Sequence, residues 1–263
     1  MSLIHATALV DQSAALHETV EVGPFAIVGP GVVLGEACRL HAHAQVTGGA
    51  ILGERNEVFS HAVIGNPPQD KKYRGEKTRL EIGSGNTFRE SVTINLGTVQ
   101  DGGVTRIGHD NWIMAYVHIA HDCQIGSNTI MANAAQLGGH VHVDDWAIVG
   151  GITAVHQFVR IGAHAMTGAG TTLTQDLPPY VMANGNPASP HGINIEGLRR
   201  RGFSDDVLRL LRRAYKTLYK SGMGLAQAIE VIRSESTELN GTDAAALEAL
   251  IRFLEVQGRG IVR

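Results

Sequence analysis

From Ile4 onward an apolar residue returns at every sixth position: Ile4, Val10, Leu16, Val22, Val28, Leu34, Leu40, Val46, Leu52, Val58 and Ile64. The register resumes at Ile82, Phe88 and Ile94, shifts by one residue, and then runs from Ile107 to Leu173 with Thr167 as its one break. A period of six is neither the 3.6 of an α-helix nor the 2 of an alternating strand. It is the signature of a parallel β-helix built from hexapeptide repeats. Three hexads make a triangular coil of 18 residues. Each face turns one apolar side chain inward, and successive coils stack at the strand spacing of about 4.8 Å. Glycine follows many of the apolar positions, among them Gly23, Gly35, Gly53, Gly108 and Gly126. That suits a corner where φ is positive or where backbones come close.

A chain of 263 residues accommodates a mainly β solenoid over 1–190 and a smaller α-helical unit over 191–263. The low aromatic content, 5%, fits a narrow prism filled by Val, Ile and Leu. A net charge of -3 gives no basis for a nucleic-acid partner. Cys38 and Cys123 lie in no C-x-x-C or zinc-type spacing and read as small buried residues in a reducing compartment. No apolar run reaches the length of a transmembrane segment and no basic leader precedes the repeats, so a soluble cytoplasmic protein is expected.

Two insertions interrupt the hexads, at 65–81 and 95–106. The first preserves phase because Ile64 and Ile82 differ by 18, which predicts that it replaces one full coil; the second shifts phase by one. Loops on a rigid scaffold commonly carry binding groups. The solenoid is expected to stop near 176–180, where Pro178 and Pro179 end strand pairing. Beyond it, Ser204 is a candidate N-cap for a helix carrying Val207, Leu208, Leu211 and Leu218. A second helix holds Leu225, Ile229 and Ile232, and a third Leu247, Leu250, Ile251 and Leu254.

Adding 18 locates the chemistry. His121 in H-I-A-H-D-C maps onto Gly139, beside His140, and then onto Gln157, beside His156. With His118 these residues form a polar ladder across three neighbouring coils. Histidine is the usual general base near neutral pH and needs an orienting partner, which Asp122 can supply. No G-x-S-x-G elbow is present, so the pattern favours direct transfer. In that scheme His121 deprotonates a hydroxyl that attacks an activated acyl carbon, and the Gly139 N–H stabilises the oxyanion.

Several motifs now resemble one family closely: H-I-A-H-D-C, Q-D-x-K-Y at 69–73, E-S-V-T-I at 90–94, G-T-V-Q at 97–100 and N-I-E-G-L-R-R-R-G-F at 194–203. They are similar to the UDP-N-acetylglucosamine O-acyltransferases of the lipid A pathway over essentially the whole chain. The resemblance implies a left-handed coil and a homotrimer that needs no metal or other cofactor. It also implies transfer of an (R)-3-hydroxyacyl group from acyl carrier protein to the 3-hydroxyl of UDP-N-acetylglucosamine. Carried over by position, His121 is the base, Asp122 its neighbour and Gly139 the oxyanion donor. His118, His140, His156 and Gln157 line the substrate cleft, Asp70 contacts the sugar, and Gln69 and Lys72 lie near the acyl and phosphate groups. Asn194, Glu196, Arg200 and Arg201 stand in the nucleotide-binding motif.

Two positions depart from the family pattern. Asn95-Leu96 replaces a common His-Arg, and Ala169 replaces a Gly in the acyl groove of long-chain members. Residue 169 lies 48 positions after His121, which predicts that an acyl chain running along the axis meets it. The basic residues Arg199, Arg200, Arg201, Arg212, Arg213, Lys216 and Lys220 offer a landing surface for an acidic carrier protein. The alternatives are another hexapeptide sugar O- or N-acyltransferase, a zinc-dependent γ-type carbonic anhydrase, or a non-catalytic β-helix. The unequal offsets of the histidines and the scattered outward threonines argue against the last two.

Overall fold

The computed structural model describes residues 3–237, 241–256 and 258–263. Among the described residues, strands of mostly two residues form three sheets of eleven, nine and eight strands, parallel except for one strand at the end of the first, beginning at Leu3–Ile4, Leu9–Val10 and Ala15–Leu16 respectively. The inward residue of each hexad is the one the sequence pattern selects. Leu34, Leu52, Ile64, Ile94, Ile119 and Leu137 are all no more than 1% exposed.

A second inward position, two residues earlier, is also buried and holds small side chains such as Ala26, Ala44, Ala62 and Ala135. Cys38 and Cys123 occupy it as free thiols. On one corner the same position carries a buried polar ladder. The Asn86 amide donates to Asn56 Oδ1 at 2.9 Å, that of Asn111 to Asn86 Oδ1 at 2.9 Å, and the Thr129 hydroxyl to Asn111 Oδ1 at 2.7 Å. Thr167 is equally buried, and its hydroxyl accepts from the Gly150 N–H at 2.9 Å, so the one break in the repeat is a satisfied polar group.

Both roles expected for the repeat glycines are found: Gly65, at the start of the first insertion, has a φ of 88°, while close approach accounts for others. A Cβ on Gly23, Gly35 or Gly108 would sit 2.5–2.9 Å from atoms of the next coil, and none of the three has positive φ. Positive φ also falls three residues after the inward apolar position, at His43, His61, Asp122, His140, Phe158 and His164 among others.

The insertions differ from expectation in one respect. Glu57 pairs with Thr87 and Thr87 with Trp112, offsets of 30 and 25, whereas neighbouring coils keep 18, as in Trp112 with Ile130. The first insertion therefore does not replace a coil; it adds about twelve residues at one corner. Both insertions leave the second sheet, at Val63–Asn66 and Thr93–Asn95, and re-enter the third at Arg79–Ile82 and Val104–Ile107. They thus stack on the same edge of the prism.

Strand pairing also continues past the two prolines, contrary to the sequence reading. Pro179 sits in a corner turn, hard against Gly162. Val181–Asn184 then joins the first sheet in parallel, and Ser189–Ile193 closes it antiparallel, a strand that spans the boundary drawn at 190. Four helices follow among the described residues: α1 (Ile195–Arg200), α2 (Asp205–Lys220), α3 (Leu225–Thr237) and α4 (Gly241–Glu255). Ser204 caps α2 as expected, accepting from the Val207 N–H at 3.2 Å. At six residues α1 is too short for a periodic signal. The helices share a second apolar core around Leu198, Leu211, Ile232 and Leu247. Arg160 ties the two parts together, pairing with buried Asp176 at 2.8 Å and donating to the Phe253 and Val256 carbonyls. Among the described residues no helix is long and apolar enough to cross a membrane.

Candidate active site

The edge between the second and third sheets carries both insertions and, on the coils that follow, His121-Asp122, Gly139-His140 and Gln157-Phe158. The coil register stacks these pairs: the His140 N–H donates to the His121 carbonyl at 3.0 Å and the Phe158 N–H to the Gly139 carbonyl at 3.1 Å. Asp122, His140 and Phe158 all adopt left-handed backbone, with φ of 60°, 62° and 66°. Asp and His tolerate that region better than most residues.

Asp122 is the fixed point. Its side chain is fully buried, and Oδ2 lies 2.8 Å from His121 Nδ1 and 2.6 Å from the Thr98 hydroxyl. Oδ1 accepts the Thr98 N–H at 2.8 Å, and the Asp122 N–H donates to Thr105 Oγ1 at 2.8 Å. Burial pushes the carboxyl up, but the bonds from His121 and Thr98 outweigh it and hold its pKa below the usual value. A carboxylate only accepts, so His121 Nδ1 carries the proton and Nε2 is left as the basic nitrogen.

Gly139 forms the floor under this ring. A Cβ there would stand 2.6 Å from His121 Cε1 and 2.8 Å from Nε2, so no side chain fits beside the imidazole. Among the described residues the Gly139 N–H has no acceptor. His140 meets His121 edge-on with centroids 5.1 Å apart, stacks on Phe158 at 4.3 Å, and has Nδ1 2.7 Å from Asp101 Oδ2. His118, one strand before the corner, has Nδ1 2.8 Å from Thr93 Oγ1; burial and then the neighbouring His121 push its pKa down. His121, Asp122 and His140 bring ligand-type atoms within 4.8 Å of one another. An ion held by His121 Nδ1 and Asp122 would have to replace the 2.8 Å hydrogen bond between them.

The insertions brace the same edge. Gly97 closes the neck of the second loop against Val104, where a Cβ would lie within 2.3 Å of backbone. The Thr98 carbonyl accepts from the Asp101 and Gly103 N–H groups and so shapes the turn. Asn95 is buried and donates to the Pro67 carbonyl at 3.1 Å, binding the first loop to the second. In the first loop Asp70 Oδ1 accepts the Lys72 N–H at 2.9 Å, a local turn beside exposed Gln69. Thr98, Asp101 and Thr105 are the participants that the sequence reading missed.

Other expected members lie outside this hydrogen-bonded group, His156 and Gln157 on the same edge one coil further on, and Ala169 and the Asn194–Arg201 segment on other edges. His156 and Gln157 are exposed, and His156 Nδ1 contacts the Gln157 carbonyl at 3.0 Å, not the His121 group. Ala169 is exposed on the edge between the first and second sheets, so an acyl chain running along the axis from His121 does not meet it within one chain. The reason is arithmetic: a separation of 48 is not a multiple of the 18-residue coil. Asn194 is buried, caps α1 through the Gly197 N–H at 3.1 Å and donates to the His164 carbonyl at 3.1 Å. Arg201 lies over the Trp146 ring at 5.0 Å. This group occupies the third edge, between the third and first sheets, where burial and then Arg201 lower the His164 pKa to about 4. Glu196 and Arg200 are exposed on α1.

Over its full 263 residues the chain is 54% identical to the acyl-[acyl-carrier-protein]–UDP-N-acetylglucosamine O-acyltransferase of Paraburkholderia phymatum, with both chains covered completely. The chain belongs to the UDP-N-acetylglucosamine O-acyltransferase family. A second relative of the same name, from Herminiimonas arsenicoxydans, is 53% identical with both chains again fully covered. The family model described as UDP N-acetylglucosamine O-acyltransferase, domain 2, matches residues 176–262, and that for bacterial transferase hexapeptide repeats matches 105–139. The UDP-N-acetylglucosamine O-acyltransferase structure from Moraxella catarrhalis superposes with a TM-score of 0.95 at 40% identity. It covers 99% of this chain and 100% of its own. The UDP-N-acetylglucosamine acyltransferase of Francisella novicida gives 0.95 at 39% identity, covering 99% of this chain and 94% of its own. Within this family the hexapeptide match falls on the coils that hold His121 and Gly139.

Proposed function

We propose that the protein transfers an (R)-3-hydroxyacyl group from acyl carrier protein to the 3-hydroxyl of UDP-N-acetylglucosamine, the first step of lipid A assembly. The observation that carries this reading is the pairing of a carboxylate-held imidazole with an unpartnered backbone N–H on the next coil. Nε2 of His121 takes the hydroxyl proton as the sugar oxygen attacks the thioester carbon. The tetrahedral oxyanion accepts from the Gly139 N–H. The carrier's sulfur then leaves, protonated by His121, and no acyl-enzyme forms. The names borne by the close relatives support this choice of donor and acceptor. The free thiols of Cys38 and Cys123 fit a reducing cytoplasm. Incubating the protein with UDP-N-acetylglucosamine and hydroxyacyl carrier protein should yield the 3-O-acyl product by mass spectrometry. Product acylated elsewhere, or none, would refute the assignment.

The active unit in this reading is a homotrimer. The His121 group, Ala169 and the Asn194–Arg201 group sit on three different edges of one prism, and a neighbouring subunit is what brings different edges together. Ala169 then acts on acyl length only from a neighbour. Among the basic residues, Arg212, Lys216 and Lys220 are exposed at four-residue intervals on α2, and with Arg200 they form no ion pair among the described residues. This stripe is the carrier-docking surface we favour, since i, i+4 spacing places the three charges on one helix face. Co-expressing His121→Ala with Arg200→Ala should restore about a quarter of wild-type activity, because a random mixture makes that share of intact interfaces. A mixture no more active than its two components would place both residues in one subunit's site.

A further inference from the structure

The second insertion does more than lengthen a corner. Its turn is shaped by backbone bonds to the Thr98 carbonyl, and Thr98 is itself fastened to Asp122. The Asp101 carboxylate takes no part in that turn. It is 58% exposed, yet it reaches 39 residues along the chain to the mostly buried His140, whose side chain is 13% exposed. Among the described residues nothing else bonds His140 Nδ1. The other contacts of the ring, Phe158 against its face and His121 against its edge, leave it free to turn about its own axis.

That freedom has a cost at the base. His140 Nε2 lies 3.9 Å from Asp122 Oδ2, the same oxygen that holds His121 at 2.8 Å. Two imidazoles and two carboxylates therefore form a chain in which each acid holds one ring, and a released His140 needs to move only about 1 Å to bond Asp122. We propose that Asp101 is a positioning residue of the acyl transfer. By holding His140 it keeps that imidazole from competing for Asp122, and so leaves His121 aligned. The proposal rests on reading His121 as the base.

Replacing the carboxylate by an amide tests this without removing the loop's own bonds. Asp101→Asn should unfold at the wild-type midpoint. It should lower kcat about tenfold, the scale expected when a reacting group is misaligned by less than 1 Å, with KM for both substrates little changed. Asp101→Glu, which restores an acid, should recover part of the loss. In a His140→Ala background the Asp101→Asn change should have no effect beyond about twofold, since the residue acts only through that ring. Nitrogen-15 spectra of the imidazoles supply a readout independent of turnover: Asp101→Asn should perturb the His121 resonances as well as those of His140. A full tenfold loss in the His140→Ala background, or unperturbed His121 resonances in Asp101→Asn, would overturn the proposal. Wild-type protein inert towards hydroxyacyl carrier protein and UDP-N-acetylglucosamine would instead refute the parent reading, with the spectra still deciding the role of Asp101.

Discussion

Replacing His121 by alanine is expected to lower kcat by at least about 100-fold, the smaller end of what loss of a general base costs. The imidazole is the only group on its coil that combines a buried carboxylate on one nitrogen with a free second nitrogen. Stability should fall by only about 1 kcal/mol, the worth of one hydrogen bond, because Asp122 keeps both bonds from Thr98. Steady-state kinetics beside a denaturation curve separates the two effects. Wild-type turnover in the variant would move the base to His118 or His140.

Gly139→Ala is the sharper test of the arrangement, because it leaves every proposed chemical group in place. The added methyl would lie 2.6 Å from His121 Cε1, well inside contact distance, and the flanking backbone is fixed by the coil bonds of Gly138 and His140. The ring must move, and a displacement of about 1 Å at a reacting group is enough for a 100-fold loss. The expected result is a kcat reduced by about that factor in a protein whose circular dichroism is unchanged. If the variant retains normal turnover, the imidazole is not held where the structure places it, or its position does not matter to the reaction.

Much of this is legible in the sequence alone. The six-residue period fixes which side chains face inward, and adding 18 to His121 reaches Gly139, which lies against the His121 ring. The count breaks down where the coil length changes or the separation is not a whole number of coils. Ala169 stands on another edge because 48 leaves a remainder of 12 against the coil of 18. Thr98 and Asp101 escaped notice because their partners lie 24 and 39 residues away across an insertion that breaks the count. The asparagines carry a signal of their own: Asn56, Asn86 and Asn111 each stand two residues before an inward apolar residue, a position filled elsewhere among the described residues by Ala, Val, Cys, Thr and one Leu.

That asparagine ladder bears on how freely the molecule can be altered. Its first rung joins the coils on either side of the longer excursion and its second those flanking the shorter one. Apolar residues recurring every six positions would let a coil slip by one hexad at little cost in burial, and the ambiguity is greatest where the connecting chain varies in length. Each rung removes that ambiguity, since a slipped coil would bury amide groups without partners, at a cost of about 1–3 kcal/mol each. The scaffold therefore records its own alignment independently of what is spliced between its coils. Loops on the His121 edge can be lengthened, shortened or exchanged while the coils beneath them keep their place.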